Sequence, residues 1–137
     1  MTVYLDTSNL VKLYVDEAGA DDVQRLVAEA DVVATSSLAY AEACATFARR
    51  RRERLMTPSE NRAAVKQLDT DWRNYLVIVM TDEVARAAGR LADAHGIRGC
   101  DAVHLASFAE LIARCDDEDV RFSCADQRLN RAARDLA

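Results

Sequence analysis

Short apolar runs alternate along this chain with longer stretches of helical periodicity. Val3-Tyr4-Leu5 is a first strand, and Thr7 or Ser8 is placed to cap a helix running through Leu13. A second helix is predicted from about Asp21 to Glu29, and Val32-Val33-Ala34 as a second strand that ends in the helix start Thr35-Ser36-Ser37. The third helix reaches the arginines Arg49 to Arg52, whose charge suits the negative end of a helix dipole. Thr57-Pro58-Ser59-Glu60 is a capping box with proline at the first helical position, so a fourth helix begins there and forms a hairpin with the third. Leu76 to Met80 is apolar throughout and predicts a buried parallel strand. Thr81-Asp82-Glu83 opens the next helix, which Gly96 closes. Asp101 to Ala113 is nearly all apolar, so that helix is buried on most sides. Val120 to Cys124 is a fourth strand and Asp126 to Leu136 a closing helix. Strands alternating with helices predict an α/β three-layer sandwich: a short central parallel sheet flanked by helices, with right-handed crossovers. No linker, repeat or low-complexity segment divides residues 1–137, so a single domain is expected.

Composition narrows this only a little. Half the residues are hydrophobic and 30% are charged, which supports a packed core and argues against disorder. No apolar run approaches a membrane span and no signal segment is visible, so a soluble cytoplasmic protein is expected. The four cysteines, Cys44, Cys100, Cys115 and Cys124, form no C-x-x-C pair, and His95 and His104 alone are available to complete a zinc site. Buried reduced thiols are therefore expected in place of structural zinc or disulfides. A net charge of −5 argues weakly against a general nucleic-acid binder. The charge is uneven, however, with arginines at Arg49 to Arg52 and Arg54 and acids at Asp116 to Asp119, so a basic surface can sit within an acidic total.

Four acids stand where acids are costly. In parallel α/β sheets, sites form beyond the carboxyl ends of the strands. Asp6 directly follows the first strand, and Asp126 follows the last. Asp101 begins the buried helix, and Glu42 lies among Leu38, Ala39, Tyr40, Ala41, Ala43 and Ala45. Gathering carboxylates in apolar surroundings is unfavourable, and a divalent cation turns that repulsion into affinity; oxygen ligands suit Mg²⁺ or Mn²⁺. Each acid also has a plainer explanation: Asp6, Asp101 and Asp126 stand at helix starts and can cap them, and Glu42 can pair with an arginine. His104, one turn after Asp101, is expected to be a hydrogen-bonded core histidine. Asp69 and Asp71 are expected to be solvated. The run Asp116 to Asp119 lacks the glycine and spacing of a calcium loop and is expected as a solvated loop.

Four segments carry a family resemblance. Val3-Tyr4-Leu5-Asp6-Thr7-Ser8 resembles the opening motif of PIN domains, and Ser37-Leu38-Ala39-Tyr40-Ala41-Glu42 the second, with its helix-borne glutamate. Asp101-Ala102-Val103-His104-Leu105-Ala106 is similar to the third motif, and Phe122-Ser123-Cys124-Ala125-Asp126-Gln127-Arg128-Leu129 to the fourth. The resemblance covers essentially the whole chain and points to the VapC-like toxins of type II toxin–antitoxin systems. It implies a PIN-like fold and a metal-dependent endoribonuclease leaving a 5′-phosphate. It further implies a homodimer neutralised by a small antitoxin, cutting structured RNAs of the translation machinery. Carried onto this sequence, it makes Asp6, Glu42, Asp101 and Asp126 the catalytic set that binds one or two Mg²⁺ or Mn²⁺ ions. On that basis Asp6 and Asp101 would be the most direct ligands, Asp126 would complete the site through water, and Glu42 would ligate or orient a water. Thr7 or Ser8 would steady the first carboxylate. Cys124 departs from the family, which commonly has threonine or serine there; Ser123 is expected on the opposite face of the strand.

Competing assignments fare worse. Haloacid-dehalogenase-like phosphatases need a second acid where this chain has Ser8, and response-regulator receivers need a lysine placed unlike Lys12 or Lys66. A catalytically silent PIN-like scaffold that binds RNA or a protein partner is the remaining rival, and a full set of four acids favours the nuclease.

Overall fold

The computed structural model describes residues 1–116 and 119–137. Four parallel strands make one sheet in the order β3-β2-β1-β4. They are β1 (Thr2–Leu5), β2 (Val32–Ser36), β3 (Leu76–Ile78) and β4 (Val120–Ser123). Among the described residues, seven helices accompany them: α1 (Thr7–Leu10), α2 (Ala20–Glu29), α3 (Leu38–Arg52), α4 (Pro58–Trp72), α5 (Asp82–His95), α6 (Gly99–Arg114) and α7 (Gln127–Arg134). A 3-10 turn over Val11–Leu13 continues α1. Among the described residues, no helix is long and apolar enough to cross a membrane.

Alternation along β1 makes the three layers. Val3 and Leu5 pack with Leu10, Phe47 and Leu68, against α1 to α4. Tyr4, pointing the other way, packs with Leu105, Phe108 and Leu129, against α6 and α7. With both faces covered, β1 is buried along its whole length, as a central parallel strand must be. Helix α5 lies outside α6, with Val84 and Ala88 against Ala102, Val103 and Ala106. The register pairs Leu5 with Ser123, so the carboxyl ends of β1 and β4 finish side by side and deliver Asp6 and Cys124 to one place.

Several local expectations need correction. Asp6, not Thr7 or Ser8, is the N-cap of α1, its carboxylate accepting from the Asn9 N–H. Thr35 and Ser36 belong to β2; at the start of α3 it is the Ser36 hydroxyl that accepts from the Leu38 N–H. Leu76 to Met80 is not a buried strand throughout. β3 is a sheet edge that ends at Ile78, and the chain then turns, the Met80 N–H reaching the Ser37 hydroxyl and leaving Val79 62% exposed. An apolar run does not distinguish a central strand from an edge. Helix α6 starts two residues before Asp101, with Arg98 as N-cap. Of the four free thiols only Cys124 is buried, and Cys100 is exposed. Asp69 is exposed and Asp71 partly so, yet each accepts a tyrosine hydroxyl, from Tyr40 and Tyr14 respectively. Asp117 and Glu118, in the run expected as a solvated loop, lie outside the described residues.

Other expectations match. The Thr57 capping box has both of its bonds, Thr81 caps α5, and Gly96 ends α5 in the left-handed conformation. Between α3 and α4 the chain reverses through a Schellman turn: Leu55 N–H bonds to the Arg50 carbonyl and Arg54 N–H to the Arg51 carbonyl. Its left-handed residue is Arg54, at φ 60°.

Candidate active site

Asp6 leaves the end of β1 into a ring of donors. It is 4% exposed. Its Oδ1 accepts from the Ser8 hydroxyl at 2.7 Å and the Asn9 N–H at 3.1 Å. Its Oδ2 accepts from the Cys124 thiol at 2.8 Å. Burial first, then the Asp6 charge, pushes the Cys124 thiol up to about 12, so it stays protonated and donates. The sulfur also accepts from the Asp126 N–H at 3.2 Å. Cys124 thus fills a bridging position between the loops after β1 and β4 that a hydroxyl would suit. Ser123 faces elsewhere, its hydroxyl accepting from the Asn9 amide.

Glu42, half-buried on α3, is held from two sides. Its Oε1 accepts from the Thr7 hydroxyl at 2.6 Å and from His104 Nε2 at 2.9 Å. Burial pushes its carboxyl up, but the bonds from His104 and Thr7 outweigh that and hold it below the ordinary glutamate range. The hydroxyls flanking Asp6 have therefore divided their work: Ser8 serves Asp6, and Thr7 serves Glu42. Glu42 pairs with a histidine and a threonine, not with an arginine.

Asp101 stands apart. It lies in the first turn of α6 without capping it, and among the described residues no hydrogen-bond donor meets its carboxylate. Burial raises its pKa first, and the charges of Asp6, Asp126 and Glu42 raise it further, with His104 opposing them. Asp126 caps α7 through Oδ1, which accepts from the Arg128 N–H. Capping thus holds for Asp6 and Asp126, whereas Asp101 is no cap.

These groups open onto a cleft of about 820 Å³ lined by Asp6, Glu42, Asp101 and His104, with Lys12, Arg49, Arg50 and Arg98 around them. Asp126 is not part of the lining, though its neighbour Ala125 is. Among the described residues, no three His, Cys, Asp or Glu side chains already stand as a cage for a metal ion. Both oxygens of Asp6 and one each of Glu42 and Asp126 accept from protein donors. The donor set still suits a hard cation. It is all oxygen, and Asp101 carries a partly buried charge, pressed by those of Asp6, Asp126 and Glu42, that no hydrogen-bond donor among the described residues meets.

Sequence reasoning found Arg49 and Arg50 of the cationic rim and missed Lys12 and Arg98. Arg49 and Arg50 face the cleft, while Arg51 turns to the Asn61 side chain and Arg52 is exposed. Lys12 and Arg98 are isolated basic residues that carried no signal. His104 is the hydrogen-bonded core histidine expected, 2% exposed, with Nδ1 2.8 Å from the Tyr4 hydroxyl. That its other nitrogen reaches a site carboxylate was not legible.

Comparison with known proteins bears on the family and the fold. The PIN domain family matches residues 3–134. Ribonuclease VapC45 and ribonuclease VapC49 of Mycobacterium tuberculosis are each 39% identical to this chain over 105 residues, 77% of it and 73% of theirs. Mycobacterium tuberculosis VapC20, a sarcin–ricin loop cleaving toxin, superposes with a TM-score of 0.68 at 20% identity, over 95% of this chain and 94% of its own. FitAcB of Neisseria gonorrhoeae gives a TM-score of 0.66 at 17% identity, over 96% and 93%. A toxin–antitoxin complex from Klebsiella pneumoniae gives 0.62 at 16% identity, over 90% and 86%. At such identities the structures speak for the fold, and the family match with the nearer sequence relatives speaks for descent. By fold, by the order of its motifs and by these relatives, the chain belongs to the PIN-domain family.

Proposed function

We propose that this protein is a Mg²⁺- or Mn²⁺-dependent endoribonuclease and the toxin of a toxin–antitoxin pair. The observation that carries it is Asp101, a half-buried carboxylate without a hydrogen-bond donor among the described residues, pressed by the charges of Asp6, Asp126 and Glu42. Relatives that are ribonucleases by name, at 39% identity, support the RNA substrate. Structural neighbours from toxin–antitoxin complexes support a small antitoxin partner.

In this reading Asp6 and Asp101 would hold the cation directly, Asp126 would do so through a water, and Glu42 would ligate or orient a water. A bound divalent cation supplies Lewis acidity, making water a better nucleophile and easing departure of the leaving oxygen. Ser8 and Cys124 keep Asp6 from rotating, and Thr7 does the same for Glu42. Lys12, Arg49, Arg50 and Arg98 offer phosphate contacts beside the acids, which explains how a chain of net charge −5 can grip RNA. A homodimer in the cytoplasm completes the proposal.

The test is cleavage of RNA by purified protein. Cleavage should need Mg²⁺ or Mn²⁺, stop with chelator, and fall by at least about 100-fold in Asp6→Asn and Asp101→Asn, as for loss of a group acting in the transition state. Undiminished cleavage by either variant, with contaminating nuclease excluded, overturns it.

A further inference from the structure

His104 connects the core to the cleft, and each of its contacts has a direction. It sits in α6 between Val103 and Leu105, buried with them. A buried imidazole is tolerable only when both ring nitrogens find partners. Nε2 lies 2.9 Å from Glu42 Oε1. Facing a carboxylate, Nε2 must carry the ring proton, because a bare lone pair there would repel the oxygen. In the neutral ring Nδ1 is then the acceptor, and 2.8 Å away stands the Tyr4 hydroxyl, which can donate to it. Tyr4 itself cannot swing: it is fully buried, stacked on Phe122 with ring centroids 5.5 Å apart and edge-on to His104 at 5.9 Å. In that tautomer the chain of bonds runs from Tyr4 on β1 through His104 on α6 to Glu42 on α3.

We propose that Tyr4 and His104 are positioning residues: Tyr4 fixes the His104 tautomer, and His104 fixes Glu42, immobilising Oε1 so that Oε2 is its one open oxygen. Thr7 shares the task, since its hydroxyl donates to the same Oε1 and lies 3.1 Å from Nε2. Neither Tyr4 nor His104 needs to touch RNA. The inference rests on the nuclease reading for its kinetic consequence but not for its bonding pattern. A network that merely satisfied buried polar atoms would leave Glu42 competent when replaced by an apolar core of equal stability. A positioning network would not.

Two measurements test this. In the metal-free protein at neutral pH, ¹⁵N spectra of the His104 ring should show a protonated Nε2, and Tyr4→Phe should lower that occupancy. A bare Nε2 in the wild type overturns the relay. Cleavage is then compared well below each variant's melting temperature. His104→Leu should lose about 10- to 100-fold, the usual effect of removing a partner that orients a metal-site ligand. His104→Gln, whose amide can donate to Glu42, should recover most of the loss. In a Glu42→Gln background, His104→Leu should cost nothing further. Equal activity of His104→Leu and wild type, or losses that multiply with Glu42→Gln, overturns the proposal. If the wild type cuts no RNA, the nuclease reading fails, and the ring spectra still decide the relay.

Discussion

Asp101 is a carboxylate whose surroundings work against its charge, and the consequence has a sign. Burial and the charges of Asp6, Asp126 and Glu42 raise its folded-state pKa above that of the unfolded chain. The native state then binds the proton more tightly, so the associated penalty is absent below the unfolded pKa and grows as pH rises toward the folded one. Its place in the first turn of α6 contributes the opposite way, through the helix dipole, but the net direction is upward. Asp101→Asn should therefore raise the melting temperature of metal-free protein at neutral pH, with the gain fading in acid. In Mg²⁺ the order should reverse, because the wild type gains more from the ion. Melts in chelator and in Mg²⁺ check this; identical curves for both proteins under both conditions would separate Asp101 from the shared site. Glu42 has the other sign, since bonds from His104 and Thr7 lower its pKa and their stabilisation is lost as pH falls through the folded value. At this scale the four acids were legible because each stands at a strand end or on an apolar helix face. Their division of labour was not, because sequence spacing does not say which hydroxyl, Thr7 or Ser8, meets which acid.

Helix ends were read well where the signal is a side chain and poorly where it is a backbone angle. The Thr57 capping box and the Gly96 stop follow from residue types whose chemistry does one thing there. The end of α3 hides a left-handed turn because its C′ residue is Arg54 and not glycine. A side chain in that conformation costs about 1–2 kcal/mol, against about 0.5–1 kcal/mol of extra unfolded-state freedom for glycine. The balance favours glycine, and Arg54→Gly should raise the melting temperature by about 2–4 °C. Calorimetry checks this, and an unchanged or lower value would mean that interactions of the Arg54 side chain outweigh the strain. The extent of β3 was misjudged for a related reason. Ile78 is its last paired residue, opposite Ser36, and only the sheet order reveals β3 as an edge, past whose end Val79 is exposed.

At the scale of the molecule, the strand-helix alternation forecast the layered architecture, whereas the electrostatics required coordinates. A formal charge of −5 conceals a cleft where Lys12, Arg49, Arg50 and Arg98 stand beside the acids. If these groups grip phosphates, replacing Arg49 and Arg98 together by alanine should weaken RNA binding in chelator. The slope of log affinity against log salt should flatten by about 0.7 for each phosphate of a single strand that is no longer neutralised. An unchanged slope would leave the rim as a solvated face. One further consequence follows from the register that pairs Leu5 with Ser123. The ribosome releases β1 before β4, so during synthesis Asp6 waits for the thiol that steadies it from 118 positions downstream. A growing chain can contain Asp6, Glu42 and Asp101 and still lack the strand that closes their site.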